Sequence, residues 1–260
     1  MTGESHKQAV KKQFAKTAQE YSQWATVDAG RAKSDVAFFL PSETDRTLDV
    51  ACGPGTLSLK LAALTREVVG IDLTNELLAI AASKAREQGL TNVTFTPGDV
   101  EDLPYSAETF DLVVCGSALH HFPDPRKVFQ EMGRVCKPGG RVGVIDIVSP
   151  EEPDRAALTL EIRRLRDPSH ARALKASEIL TLFREAGLLS LRHKAEFRSE
   201  RFRSWARTGG IEEADPRYAR LWSLYEGAIE GDGTGWNIRR VPGDLEFDRS
   251  YFYACGVKAP

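Results

Sequence analysis

Between residues 47 and 148 the chain alternates short apolar runs with stretches of helix-forming composition. The apolar runs, in chain order, are TLDVA, EVVGIDL, VTFTPGD, FDLVVCGS and GRVGVIDIV. Helices between strands serve as the crossovers of a parallel sheet, and near-continuous Val, Ile and Leu indicate strands that are covered on both faces. The pattern predicts an α/β domain whose mainly parallel sheet carries helices on both faces.

The segments on either side of this alternation carry weaker patterns. Apolar residues at helical spacing predict one or two N-terminal helices over residues 8–37. Beyond residue 149 the candidate elements are helices over 154–166 and 176–187 and strands in LLSLRHKAEF and YFYACGVKA. These two strands would bring the sheet to seven, and we interpret the residues between them as a helical insertion.

Local signals mark two of the expected boundaries. Asn75 is positioned to cap the helix after the second strand, and Gly89 is positioned to stop it. The stretch KPGG predicts a turn before the fifth strand, with Gly139 accepting a positive φ.

Composition limits the classes of partner. The 260 residues are 42% hydrophobic, enough for one substantial core. With a formal net charge of −2 and acidic and basic residues mixed along the sequence, we find no basic cluster that would indicate a nucleic-acid interface. No apolar run approaches the length of a membrane span, and the N-terminal residues lack a signal-peptide core. We therefore expect a cytoplasmic protein, monomeric or homodimeric, that acts on small molecules.

The stretch LDVACGPG ends the first strand and enters a helix through two glycines. Gly53 and Gly55 would let a ligand approach unpaired backbone N–H groups at the helix start. Asp72 ends the second strand, 17 residues after Gly55, where a carboxylate can accept both hydroxyls of a ribose. A dinucleotide oxidoreductase shares that acid, but its fingerprint needs a third glycine where this chain has Ser58, and Asp49 is no part of it.

Five motifs in this order resemble those of class I S-adenosylmethionine-dependent methyltransferases. They are LDVACGPG, the acid in GIDL, GDVEDLPY, FDLVVCGSALHHF and RVCKPGGRV. The resemblance covers about residues 14–190 and is closest to small-molecule enzymes of the ubiquinone and menaquinone biosynthesis type. It implies a Rossmann-like fold, S-adenosyl-L-methionine as cofactor and methyl transfer to a small-molecule O, N or C nucleophile.

The same resemblance implies roles for individual residues. Gly53 and Gly55 would approach the methionine part of the cofactor, whose amino group Asp49 would organise. Asp72 would bind the ribose. The other implied contacts are Leu73, Asp99 and Val100 at the adenine, Ser117 beneath the sulfonium, and Tyr21 on a helix that closes over the cofactor.

With this resemblance we interpret residues 1–260 as a single methyltransferase domain. Its expected parts are an N-terminal helical lid (1–40), the core (45–198), the helical insertion (199–248) and a closing strand (249–260). The aromatic residues of the insertion line an acceptor pocket or simply pack its core, and the sequence leaves both readings open. They are Trp205, Trp222, Trp236, Tyr218 and Tyr225.

Three histidines are candidates for a general base, which the transfer needs only when the acceptor is protonated. His120 and His121 follow the fourth strand, and His170 lies in the stretch DPSH. Neighbouring side chains need not face the same way, so at most one of the pair is expected to reach the acceptor, with His121 the first candidate. Each histidine could equally cap or pack. Metal ligation by the pair with Asp124 lacks helix-spaced ligands, so no metal site is predicted.

Two other functions remain open on the sequence. The chain could be a catalytically silent subunit that binds S-adenosylmethionine. Less favoured, because of Ser58 and Asp49, is an NAD-dependent oxidoreductase. A nucleic-acid substrate is disfavoured because the insertion is not distinctly basic.

Overall fold

A computed structural model describes residues 3–27 and 35–260, with side chains for residues 4–19 and 35–260. The helices are α1 (Gly3–Val27), α2 (Thr56–Ala62), α3 (Asn75–Glu87), α4 (Pro125–Val135), α5 (Pro153–Arg166), α6 (Ala176–Glu185), α7 (Phe202–Thr208) and α8 (Pro216–Gly227). The strands are β1 (Arg46–Val50), β2 (Glu67–Asp72), β3 (Val93–Pro97), β4 (Phe110–Gly116), β5 (Cys136–Ile147), β6 (Leu188–Arg201), β7 (Arg239–Val241) and β8 (Asp244–Lys258).

The strands form one sheet in the order β3-β2-β1-β4-β5-β8-β6, and β7 pairs with β8. Strands β1 to β5 run parallel to one another, whereas β8 is antiparallel to β5, β6 and β7. The predicted α/β fold with a mainly parallel sheet is confirmed, with the three-residue β7 as an additional eighth strand. The strand order reverses between β1 and β4, and ligands of such sheets bind at the carboxyl ends of the strands near that reversal.

Alternate residues of the central strands enter two separate cores. Val113 and Cys115 of β4 pack in the cluster that includes Phe129 of α4 and Phe183 of α6. Leu112 and Val114 pack in a second cluster, with Phe39 and with Leu61 of α2. Successive β4 side chains therefore point to opposite faces of the sheet, and each face is covered by helices, as the continuous apolar run predicts.

The late segment contributes a third core. Helices α5, α7 and α8 pack on the start of β8 around aromatic side chains, among them Trp205, Tyr225, Trp236 and Phe247. The helical insertion expected over 199–248 is therefore partly strand: β6 continues to Arg201 and β8 already begins at Asp244. The long strands extend past the sheet's other members because they pair with each other over their whole length.

Two boundary predictions need correction. The N-cap of α3 is Thr74 rather than Asn75, and its backbone N–H donates to the Asp72 carboxylate at 2.8 Å. The stretch KPGG lies within the bounds of β5 as an irregularity of the β4–β5 pairing, with Gly139 at φ +73°. A bulge absorbs the extra residues there, so the expected turn does not separate two elements.

Helix α1 packs against α3 and α7 at the carboxyl edge of the sheet. Its residues His6, Lys7, Val10 and Phe14 line the cavity described below. None of the helices in the described part of the chain is both long and apolar enough to cross a membrane. The four cysteines are free and buried.

Candidate active site

A cavity of about 170 Å³, here called the cleft, opens at the carboxyl ends of β1, β2 and β4. Of the residues predicted to hold the cofactor, Asp49, Gly53, Asp72, Leu73, Asp99, Val100 and Ser117 line the cleft. Gly55 does not. The side chain of Tyr21, a further predicted contact, lies outside the described residues.

Gly53 and Gly55, in the loop after β1, have different structural roles. Gly53 faces the cleft at φ +53°. Gly55 sits behind it at φ +78°, where a Cβ atom would lie 3.0 Å from that of Ala81 and 3.2 Å from the Phe95 ring. The left-handed backbone and this close packing both require glycine at position 55. Gly55 does not line the cleft, and its approach to the cofactor stays a prediction.

Asp72 fixes the loop from the end of β2. One carboxylate oxygen accepts the Gly53 N–H at 2.8 Å and the other accepts the Thr74 N–H at 2.8 Å. Each oxygen keeps a further lone pair. Burial nevertheless raises the pKa of Asp72 above its usual value, against the opposing effect of these hydrogen bonds.

Asp49 lies deeper in the cleft, almost fully buried. Its carboxylate accepts a hydrogen bond of 2.5 Å from Ser58, the residue that replaces the third glycine of the dinucleotide fingerprint. Burial raises the pKa of Asp49 to about 7. A cationic ligand in the cleft would favour its ionised form.

Asp99 is already engaged by the N-terminal helix. Lys7 Nζ lies 2.6 Å from Asp99 Oδ2 and 2.9 Å from a carboxylate oxygen of Glu101. The second Asp99 oxygen accepts the Glu101 N–H at 2.9 Å. Sequence reasoning missed Lys7, because nothing in the polar start of the chain distinguishes it from its neighbouring lysines.

A second cavity of about 70 Å³, here called the chamber, adjoins the cleft. That volume holds roughly five water-sized groups. Four residues line both cavities: Phe14, Ser117, His121 and Tyr251. Ser117 directly follows β4 at φ +54°, and its N–H donates to Ile145 O at 2.7 Å. The two cavities therefore meet at the carboxyl end of β4.

The chamber brings together all three predicted histidines. The ring centroids of His120 and His121 are 4.2 Å apart, and those of His170 lie 4.5 and 5.1 Å from them. His120 and His121 both line the chamber, and which of them reaches the acceptor stays a prediction. They lie in a 3₁₀ turn (Leu119–His121), where successive side chains do not alternate as they do in a strand. The Ala171 N–H donates to His120 O at 3.0 Å and so holds the His170 segment against this turn.

Hydrogen bonds define the tautomers of the first two histidines. His120 Nδ1 donates to Asp146 Oδ1 at 2.6 Å, and His121 Nδ1 donates to Ser169 O at 3.1 Å. Both arrangements leave the Nε2 lone pair free. Burial, and next the neighbouring His120, lower the pKa of His121 to about 4. Asp146, in the otherwise apolar run GVIDIV, is a partner that the sequence could have indicated.

The three histidines could hold a metal by residue type, since one nitrogen of each lies within 4.8 Å of the others. The surrounding charge opposes it. Arg163 and Arg166 line the same chamber, and their cationic groups add to burial in lowering the pKa of His170. A positive field that disfavours a proton on His170 also disfavours a metal cation there.

The walls of the chamber come from the late part of the chain. Trp205, Trp236 and Phe247 line it. The other predicted aromatics, Trp222 with Tyr218 and Tyr225, pack within the third core instead. Three arginines complete the lining: Arg163, Arg166 and Arg249. Sequence reasoning missed them, because RRLR reads as the charged face of a helix.

Comparison with known proteins agrees with this architecture. The profile of a family described as a methyltransferase domain matches residues 41–187. YcgJ of Bacillus subtilis, named an uncharacterized methyltransferase, is 36% identical over 166 residues, which are 64% of this chain and 65% of that protein. The demethylmenaquinone methyltransferase of Shouchella clausii is 38% identical over 109 residues, which cover 41% of this chain and 46% of that enzyme. The chain thus spans about half to two thirds of the length of these relatives.

Solved structures match over more of the chain. The crystal structure of YcgJ superposes with a TM-score of 0.81 and 28% identity, covering 89% of this chain and 99% of that one. A putative methyltransferase from Bacillus halodurans C-125 gives a TM-score of 0.81 at 25% identity, covering 90% and 100%. The profile match extends over more than half of the residues, and the fold agrees with it. The chain belongs to the methyltransferase domain family.

Proposed function

We propose that this protein transfers a methyl group from S-adenosylmethionine, bound in the cleft, to a small-molecule acceptor bound in the chamber. The observation that carries the proposal is the shared wall: Ser117 and His121 border both cavities. Methyl transfer needs the acceptor atom aligned with the methyl carbon and shielded from water, and two adjoining cavities provide separate binding sites for acceptor and cofactor.

The side chains of the cleft fit the proposed cofactor. Asp72 offers free lone pairs to the ribose hydroxyls while it anchors the loop of Gly53. Leu73 and Val100 present apolar surface for the adenine ring. Buried Asp49 offers a carboxylate to the protonated amino group of the cofactor's methionine part. Family membership supports the same choice of cofactor.

When bound, S-adenosylmethionine supplies an activated methyl group whose leaving group departs as a neutral thioether. No residue of the protein therefore has to protonate the leaving group. The protein's task is to orient the acceptor and, where the acceptor carries a proton, to remove it. His120 suits that task in our proposal, because Asp146 holds Nδ1–H at 2.6 Å and leaves Nε2 to accept the proton.

His121 and His170 have different parts in the proposal. A pKa of about 4 makes His121 a weak base at neutral pH. Its position on the shared wall suits it to orient the acceptor rather than to deprotonate it. His170 packs against both other rings and helps to keep the chamber closed on this side. The structural arrangement thus shifts our preference for the general base from His121 to His120.

Calorimetry with S-adenosylhomocysteine is the first test. We expect one molecule to bind per chain, and binding should be lost or strongly weakened in Asp72→Ala. Turnover is then followed as S-adenosylhomocysteine released from S-adenosylmethionine in the presence of phenols, quinols, amines and small carboxylic acids. Binding without turnover on the whole panel would favour the silent subunit. Absence of S-adenosylhomocysteine binding by the folded protein would overturn the proposal.

The role of the His120–Asp146 pair is tested with Asp146→Asn. The amide cannot hold the same tautomer of His120 or stabilise its protonated form, so kcat should fall on the order of 10²-fold on an acceptor that must lose a proton. The affinity for S-adenosylhomocysteine should stay unchanged. Asp124→Asn, at the exposed N-cap of α4, is the matched control. An unchanged kcat in Asp146→Asn would remove the pair from the mechanism.

A further inference from the structure

Arg163 is a charged side chain inside the chamber with an unused donor. Only 3% of the residue is exposed, and its Nη2 donates to Val148 O at 2.8 Å. Its Nη1 is buried and has no hydrogen-bond partner. None of the described carboxylates forms an ion pair with it. A buried guanidinium with an unsatisfied N–H is costly unless a ligand completes it.

A second unused donor lies beside the first. Trp236 Nε1 is buried without a partner, and Trp236 also lines the chamber. The guanidinium carbon of Arg163 lies 5.5 Å from the centre of the Trp236 ring, a cation–π contact that places both groups on the same wall. Apart from His170 Nδ1, which is also buried without a partner, the chamber thus presents two neighbouring N–H donors that the protein itself does not satisfy, one of them on a guanidinium group.

The other charged side chains of the chamber have hydrogen-bond or ion-pair partners within the protein. Arg249 pairs with Glu200 at 2.5 Å. Asp167 accepts two hydrogen bonds from Ser169, from its hydroxyl at 2.6 Å and its N–H at 2.9 Å. Arg166 donates to Trp205 O and to the Thr208 hydroxyl, each at 2.9 Å. Arg163 is the member of the set with neither a carboxylate partner nor a full complement of hydrogen bonds.

Burial lowers the pKa of Arg163, chiefly by desolvation, but only to about 10. The side chain therefore stays positively charged at neutral pH. Apolar ring surface from Trp205, Trp236 and Phe247 surrounds it. The remaining space of about 70 Å³ admits a small molecule rather than a long chain.

We propose that the chamber binds the carboxylate of a small monoanionic carboxylic acid, with Arg163 and Trp236 as the donors to its two oxygens. This inference rests on the proposed function: the carboxylate anchors the methyl acceptor, whose separate O, N or C nucleophile takes the methyl group as the thioether leaves. Two N–H donors match the two oxygens of a carboxylate, whereas a phosphate would leave further oxygens without these donors. The aromatic walls hold the body of the acid.

The test compares acids with their amides, which share shape but not charge. The pairs are acetate and acetamide, benzoate and benzamide, and phenylacetate and phenylacetamide. Each is titrated by calorimetry into the protein loaded with S-adenosylhomocysteine. We expect at least one acid to bind tenfold or more tightly than its amide. Equal affinity, or absence of binding, in all three pairs would overturn the proposal, as would inorganic phosphate binding more tightly than every acid.

Variants locate the effect at the proposed donors. In Arg163→Met, which keeps most of the side-chain length without the charge, the preference for acid over amide should disappear. Arg184→Met replaces an exposed arginine on α6 and should keep the preference. Should Arg163→Met fail to fold, Arg163→Lys and Trp236→Phe remain decisive. The lysine retains the charge and should retain a reduced preference, and the phenylalanine retains the ring but should lose affinity for the acid. If both single variants, Trp236→Phe and Arg163→Met, keep the full preference for acid over amide, the assignment is wrong.

Binding of S-adenosylhomocysteine is measured on the same samples and separates the two proposals. If it binds and no acid does, the carboxylate subsite is wrong and the methyl-transfer proposal stands. If it does not bind to the folded protein, the methyl-transfer proposal itself fails.

Discussion

The cleft and the chamber share a wall but are assembled in opposite ways. The charged side chains of the cleft are mainly carboxylates, and three of them, Asp49, Asp72 and Asp99, lie in or shortly after one of the first three strands. The charged side chains of the chamber are mainly imidazoles and guanidinium groups from residues between His120 and Arg249, with Asp167 as the carboxylate among them. The charge of the first site is thus mainly negative, although Lys7 and Arg198 also line it, and the charge of the second is mainly positive.

This contrast agrees with the two proposed ligands and reflects how each site is built. A parallel sheet places the ends of neighbouring strands side by side, so acids at those ends converge whatever the rest of the chain does. The chamber depends instead on α5, α7 and β8 packing around the turn after β4. A cationic nucleoside suits the first site and an anionic acceptor suits the second.

Asp72→Ala should produce the largest effect and act on the cleft alone. The variant removes the acceptor of the Gly53 and Thr74 N–H groups and the proposed ribose ligand. We expect the affinity for S-adenosylhomocysteine to weaken by about 1–3 kcal/mol in calorimetry. Near-ultraviolet circular dichroism from the tryptophans of the chamber should not change.

Asp102→Ala is the matched control, since this exposed acid belongs to the same GDVEDLPY stretch but does not line the cleft. Unchanged affinity in a folded Asp72→Ala variant would contradict the ribose assignment. A changed tryptophan signal would show that the two sites are not built independently.

The same contrast explains how much could be predicted from the sequence. The succession of strands along the chain and the parallel sheet follow from patterns in short segments, and the seven cleft residues were implied by the resemblance of motifs at the strand ends. A glycine that φ and packing require, such as Gly55, cannot be told by sequence from one that faces a ligand. Arg163 and Trp236 are far apart in the chain, and only tertiary packing places one over the other.

The pH dependence of the free energy of unfolding distinguishes the two sites, first through His121 in the chamber. Its pKa is lowered to about 4, whereas the unfolded chain protonates a histidine near its ordinary value of 6.5. Between these values the unfolded state binds more protons, so His121 makes the free energy of unfolding fall as the pH is lowered from about 7 to 5. The effect is on the order of 1 kcal/mol.

Asp49 in the cleft acts with the opposite sign. Its pKa is raised from 3.8 to about 7, so in this range the folded state binds more protons and its contribution to stability increases as the pH falls. Urea unfolding of the wild type and of His121→Asn at pH 7 and pH 5 isolates the histidine, because Asp49 is common to both proteins. The variant should lose less stability on acidification, and an equal loss would contradict the lowered pKa.

The smallest expected effect tests the helix that contacts both sites. In α1, His6 Nε2 donates to His121 O at 2.9 Å, while the adjacent Lys7 pairs with Asp99 and Glu101 beside the cleft. The Lys7 and Asp99 side chains are 22% and 37% exposed, so solvent screens the pair and its worth is below about 1 kcal/mol.

We expect Lys7→Met to release S-adenosylhomocysteine a few-fold faster in stopped-flow measurements, because α1 loses the ion pair that joins it to the edge of the cleft. Raising the salt concentration should speed release from the wild type towards the rate of the variant, since salt screens the ion pair. Lys12→Met, an exposed lysine on the same helix, should change neither quantity. Slower release from Lys7→Met would instead mean that Lys7 competes with the nucleoside for Asp99. In that case the Lys7 ammonium group would occupy the place of the nucleoside at Asp99 instead of holding α1 over the bound cofactor.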